Sequence, residues 1–186
     1  VSTESDILEN GSVFDHCVIT DAEYGISIED GGSAIIKNTE LSGNNGGVYL
    51  LDSGMSFIHD NQIKLNTQSG IIGDASENGI TKLVTINDNQ INTNVEYGIN
   101  FSGHISGTIR DFTIQGNAIG DNAIGGIRTS DINESTFTTN VIKANTFSNS
   151  DLFTIDGTVG LILSGETNEA IENSFIGHHT GLKMVD

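Results

Sequence analysis

The chain reads as an all-β solenoid, a parallel β-helix of about seven coils, and three observations predict it: a fixed period, short runs of alternating polarity, and apolar columns in register with the period. A phrase of Asn, one variable residue and a large apolar residue recurs as Asn61-Gln62-Ile63, Asn89-Gln90-Ile91, Asn117-Ala118-Ile119, Asn145-Thr146-Phe147 and Asn173-Ser174-Phe175, each 28 residues after the last. Toward the N-terminus the step is 22, through Thr39-Glu40-Leu41 and Cys17-Val18-Ile19. Equal steps of this size mean that one supersecondary unit is stacked repeatedly. Within a unit, runs such as Val84-Thr85-Ile86 and Ile99-Asn100-Phe101 alternate apolar with polar. That is strand periodicity, and Asn and Gly between the runs leave room for two or three strands per unit.

Each strand can be placed by counting from the anchor (Cys17, Thr39, Asn61, Asn89, Asn117, Asn145, Asn173). Three residues before it lie Phe14, Ile36, Ile58, Ile86, Ile114, Ile142 and Ala170, which marks a first strand with an inward apolar residue. Two residues after it lie Ile19, Leu41, Ile63, Ile91, Ile119, Phe147 and Phe175, the inward residue of a second. Five after the anchor comes another polar column, Asn44, Asn66, Asn94 and Asn122, with Ala22, Ser150 and His178 at the remaining levels. A third strand then opens with Gly and an aliphatic residue: Gly25-Ile26, Gly47-Val48, Gly70-Ile71, Gly98-Ile99, Gly126-Ile127 and Gly181-Leu182. The coil around Asn145 lacks that Gly and offers Thr154-Ile155. Stacked in parallel about 4.8 Å apart, such rungs set identical side chains over one another. An Asn column can then bond along its length while satisfying the backbone at the bends, so both Asn columns read as scaffold.

The N-x-I phrase followed by G-I resembles the generic repeat of the right-handed parallel β-helix of the pectin-lyase-like superfamily, over about residues 12–184. The resemblance implies the architecture and the hand, and parallel crossovers prefer the same hand. It leaves activity open, because that superfamily includes polysaccharide lyases, hydrolases, epimerases, phage tailspikes and surface adhesins. Its enzymes carry local signatures. The nearest strings to those of the polygalacturonate hydrolases are Asn38-Thr39-Glu40, Gly103-His104-Ile105 and Gly177-His178-His179, and none completes a motif. The epimerase motif beginning D-P-H cannot occur in a chain with no proline, and Arg110 and Arg128 are the only arginines that could serve a lyase as base.

From the Gly to the next anchor is 14 residues at Gly25 and Gly47 but 19 at Gly70, Gly98 and Gly126, so the longer period enters after the third strand. Segments such as Ser102 to Ile109 and Thr129 to Thr136 are expected to protrude as stacked loops, a common place for binding surfaces in repeat proteins.

The sharpest chemical pattern is a column of carboxylates. Asp30, Asp52 and Asp74 are spaced by 22 and are expected at one position on three successive rungs, about 5 Å apart. Like charges that close repel unless a proton or cation is shared. Three readings stand: a Ca²⁺ site of oxygen ligands, a catalytic acid and base pair of glycosidase type, or mobile turns that diverge into water. Asp60 and Asp88, with His16 and Glu172, share the position just before the anchor and read as a solvated edge. His178 stands in the second polar column, which favours a structural role over metal ligation with His179. The outward residues two after the Gly, Ser27, Tyr49, Ile72, Asn100, Arg128 and Lys183, include one aromatic, few for a carbohydrate platform.

Charge narrows the partners. With 25 acidic residues against 7 Lys plus Arg, the formal net charge is -18. This surface repels nucleic acid, anionic membrane and polyanionic glycans, and leaves cations, neutral glycans, protein surfaces or further copies of the solenoid. Cys17, the single cysteine, excludes an internal disulfide and reads as an inert thiol. No apolar run is long enough to span a membrane. Asn10-Gly11-Ser12 and Asn133-Glu134-Ser135 match the N-glycosylation acceptor in a chain rich in all three residue types. The whole of residues 1–186 reads as one solenoid domain with uncapped ends, a fragment or an assembly unit. The expectation is a noncatalytic extracellular or cell- or virion-surface β-helix acting as a rigid structural, assembly or adhesion module, with no required cofactor. The alternative is a polysaccharide-acting enzyme or tailspike segment that uses the acidic column.

Overall fold

The computed structural model describes residues 11–102, 106–130, 136–138, 141–143, 146–148, 159–164 and 169–185. Every described element is a strand, and all the pairings are parallel. Three sheets have seven strands each, and a fourth has three. The anchor sheet begins with Ser12–Asp15, Ala34–Lys37 and Ser56–His59. The second begins with Val18–Ile19, Glu40–Ser42 and Gln62–Lys64, and the glycine sheet with Tyr24–Glu29, Gly46–Leu51 and Ile71–Asp74. Successive strands of one rung therefore belong to different sheets, and each pairs with its equivalent one rung away. This is the parallel β-helix expected from the period.

The register follows the sequence ruler. Phe14 pairs with Ile36, Ile36 with Ile58, Ile58 with Ile86 and Ile86 with Ile114, so steps of 22 give way to 28 without slippage. The apolar columns become the core: Ile36, Leu41, Ile58, Ile63, Ile86, Ile91, Ile99 and Ile114 are wholly buried. Removing such side chains from water contributes about 1.5–3 kcal/mol each, which offsets the entropy of ordering a rung. Glycine heads the third strand because successive rungs close tightly there. A Cβ on Gly98 would lie 2.6 Å from Ile119 Cγ2 and 2.9 Å from the Gly126 carbonyl oxygen.

The bends explain the polar columns. Immediately before the anchor, His16, Asn38, Asp60, Asp88, Gly116 and Glu172 all have φ between 49° and 70°; before the second polar column, Asp21, Gly43, Leu65, Thr93, Asp121 and Gly177 lie between 53° and 75°. A left-handed residue turns the strand sharply, and Asn, Asp and Gly tolerate it best. Each turn points backbone groups inward, where Asn one rung on meets them. The Asn61 side-chain oxygen Oδ1 accepts from the Thr39 N–H at 2.9 Å, while its Nδ2 donates to the Ile36 backbone carbonyl at 2.9 Å. Asn89 and Asn117 repeat the pattern, and Asn44, Asn66, Asn94 and Asn122 build a second ladder in the same way.

Two expectations are corrected. The added length does not simply loop outward: Ile80–Lys82, Thr108–Arg110 and Thr136–Thr138 pair as a short fourth sheet. Thr81 and Ile109 from it are buried, as is Phe112 just beyond, so these residues join the core. The remaining parts of the two expected loops, 103–105 and 131–135, lie outside the described residues. In the glycine sheet Leu161 pairs with Ile127, a step of 34, which gives the glycine position to Gly160 and not to Thr154. The glycine column thus runs on past an extended rung. Asn145, Ser150, Thr154-Ile155 and Asn133 also lie outside the described residues.

Candidate functional site

Register decides the fate of the acidic column. Gly47 stands eight positions after Thr39, whereas Gly70 stands nine positions after Asn61. Hence Val48 pairs with Ile71 and Leu51 with Asp74, a step of 23. A slip of one residue moves a strand side chain to the opposite face. Asp74 therefore shares its column with Leu51 and Glu29, while Asp30 and Asp52 share the bend that follows.

Those two aspartates have a conformational reason to be aspartate, with φ of 53° and 49°. Asp52 is engaged on both oxygens, one accepting from the Ser76 N–H at 3.0 Å and the other from the Ser76 hydroxyl at 2.5 Å. Asp74 Oδ1 accepts from the Ala75 N–H at 2.8 Å, and Asp30 is exposed to water. The structure brings Asp30 and Asp52 together on one bend and leaves Asp74 on another column. Among the described residues no group of three or more His, Cys, Asp or Glu could hold a metal ion.

An open groove of about 250 Å³ runs beside the first anchors and is lined by His16, Cys17, Asn38, Glu40, Asp60 and Gln62, among others. Its groups are occupied locally. His16 Nδ1 lies 2.6 Å from an Asp15 oxygen, and the Cys17 thiol, half-buried, donates to the Asp15 carbonyl at 3.6 Å. A hydrogen bond from Asn38, with His16 and Lys37 nearby, holds the Asp15 carboxyl below its usual pKa. His178 follows the left-handed Gly177, and burial pushes its pKa down.

One feature of the glycine face escaped the count of exposed aromatics. Tyr24, one residue before its Gly, leans over Gly46 of the next rung and stacks on Tyr49, with centroids 4.4 Å apart and 12° between planes. Burial, then the charges of Asp74 and Glu29 among others, pushes the Tyr49 hydroxyl up to about 12. The sequence signal was available, a Tyr at the rung below a Gly, but it depends on knowing that the bend turns that side chain outward.

The family model described as Periplasmic copper-binding protein (NosD) matches residues 3–179. The chain belongs to the NosD family. That is a parallel β-helix family with a pectin-lyase-like fold, in line with the repeat grammar. No curated protein and no solved structure matches the chain significantly. Copper favours imidazole, thiolate and thioether donors held convergently. In this NosD-family chain His16 adjoins Cys17 and His178 adjoins His179, but no group of three or more His, Cys, Asp or Glu among the described residues could hold a metal ion, so the donors described do not fit a copper site.

Proposed function

We propose that this NosD-family chain is a noncatalytic β-helix of the periplasm or cell surface, a rigid platform whose outer faces engage a protein partner. The observation that carries the reading is the full engagement of the asparagine ladders. Asn89 alone accepts from the Asn61 N–H and amide and donates to the carbonyls of Ile58 and Asn87 and the Asn117 side chain. Side chains so fully bonded hold rungs together and have no capacity left for a substrate. The engagement of Asp52 by Ser76 supports the same reading, because a general acid or base needs a free oxygen facing a cleft. The family description supports the periplasmic location.

Incubation with a panel of neutral and uronate polysaccharides, followed by a reducing-end assay, tests this reading. No release is expected, and release that disappears in Asp52→Asn would overturn it. Anaerobic titration with Cu(I) addresses the metal named in the family description. The expected outcome is no stoichiometric binding, and a tight equimolar complex lost in a His16→Ala, Cys17→Ser double variant would overturn it.

A further inference from the structure

The glycine face of the first rungs carries a patch that the ladders do not explain. Its outward columns run Ser27, Tyr49, Ile72, Asn100 and Glu29, Leu51, Asp74. Neither contains a Lys or Arg over this stretch. Tyr24, Tyr49, Ile72 and Leu51 are only half-buried. Gly46 makes the patch continuous, since a Cβ there would meet the Tyr24 ring at 2.8 Å and the Ile72 δ-methyl at 3.0 Å. Acidic groups surround the rings: Glu23, Asp74 and Glu29 act on the Tyr24 hydroxyl, and Asp74, Glu29 and Asp52 on that of Tyr49. Aromatic anchors framed by like charges suit an oppositely charged partner.

The chain repeats this arrangement three rungs further on and there supplies the cation itself. Tyr97 leans over Gly125 as Tyr24 leans over Gly46, with its ring 3.2 Å from a Cβ placed on that glycine. Three residues after Gly125 stands Arg128, the position that Tyr49 holds after Gly46, and its guanidinium carbon lies 5.8 Å from the Tyr97 ring centroid. There the guanidinium takes, over Tyr97, the place that Tyr49 takes over Tyr24, so this face of the solenoid sets a guanidinium against a tyrosine. A guanidinium over an aromatic ring is stabilised by the ring quadrupole and by nearby carboxylates.

We infer that the Tyr24, Tyr49 and Ile72 patch, with Glu29 and Asp74 at its rim, docks an arginine-bearing segment of a protein partner. The inference rests on the platform reading and names the partner's chemistry. An arginine of that segment sets its guanidinium group against the tyrosine rings and pairs with Glu29 and Asp74. Isoleucine and leucine exclude water beneath its aliphatic stem.

Fluorescence anisotropy with a labelled alternating Gly-Arg octapeptide, at low and moderate salt, tests it on the full chain. Binding is expected to weaken about tenfold in Tyr49→Ser, to survive in Tyr49→Phe, and to weaken similarly in the Glu29→Gln, Asp74→Asn double variant. The charge-matched Asp88→Asn, Asp121→Asn variant, altered on other faces, is expected to stay within about twofold. Far-UV circular dichroism confirms that each variant folds. No binding, no effect of Tyr49→Ser, or equal weakening in the charge-matched control overturns the proposal, the last by showing diffuse attraction to a net charge of -18. None of these results bears on polysaccharide cleavage, so failure here leaves the noncatalytic reading standing.

Discussion

Replacing Asn89 by alanine tests the ladder at its centre. The side chain is 1% exposed and joins three rungs. Its loss strands the Asn61 N–H, bonded at 3.0 Å, and the Ile58 carbonyl, bonded at 2.8 Å, both buried where water cannot reach. An orphaned buried polar group costs about 1–3 kcal/mol. The Asn61 amide is partly protected, because it keeps its bond to Ile36 at 2.9 Å. Two orphans at the lower half of that range give about 2–4 kcal/mol. Solenoids unfold by rungs, so the effect is best read twice: as a lowered urea midpoint, and as hydrogen exchange of the Asn61 amide accelerated about thirtyfold or more. Gln90→Ala, at an exposed position in the same rung, is the control and should change stability by less than about 0.5 kcal/mol. If Asn89→Ala matches Gln90→Ala in midpoint and Asn61 exchange is unchanged, the ladder does not hold the rungs and the account of the polar columns fails.

Three further outcomes follow from the geometry. Gly73→Ala would drive a Cβ into the Phe101 ring, which is itself packed edge-on against Phe112 at 4.5 Å, and should cost about 1–3 kcal/mol; Phe101→Leu in the same chain should recover part of the melting temperature. His178 is held toward its neutral form by burial, so its contribution to stability is complete above the unfolded pKa near ~6.5 and is lost as pH falls through the lowered folded value. Melting profiles against pH should therefore show a shallower acid slope in His178→Asn, and an unchanged slope would remove His178 as its source. Excess Ca²⁺ or chelator should leave the melting temperature unmoved, since Asp52 is bound to Ser76 and Asp74 lies on another column; a calcium-dependent rise abolished by Asp52→Asn would restore the acidic column as a metal site.

Much of the fold was legible because a repeat states the same fact many times. Ile36, Ile58 and Ile86 occupy one column in the sequence ruler and pair in the sheet, and the anchors Asn61, Asn89 and Asn117 are structural as their spacing implied. The candidate site was less legible because its geometry depends on single residues. Asp52 and Asp74 stand 22 apart in the sequence, but one added residue between Asn61 and Gly70 makes the step in space 23 and removes Asp74 from the column. The strand of Ile80–Lys82 was hidden for another reason: three residues are too short for alternation to declare itself, and Thr81 is buried through a bond from the Ser53 N–H and not through apolarity.

By itself the sequence determined the period, the columns that meet and the side of each strand that faces inward, because parallel stacking turns equal spacing directly into contact. Tertiary structure alone decided which bends turn left-handed, where register steps by 23 or 34, and that Tyr24 would lie on Tyr49. Those outcomes depend on how rungs of unequal length settle on one another, and local periodicity carries no record of that packing.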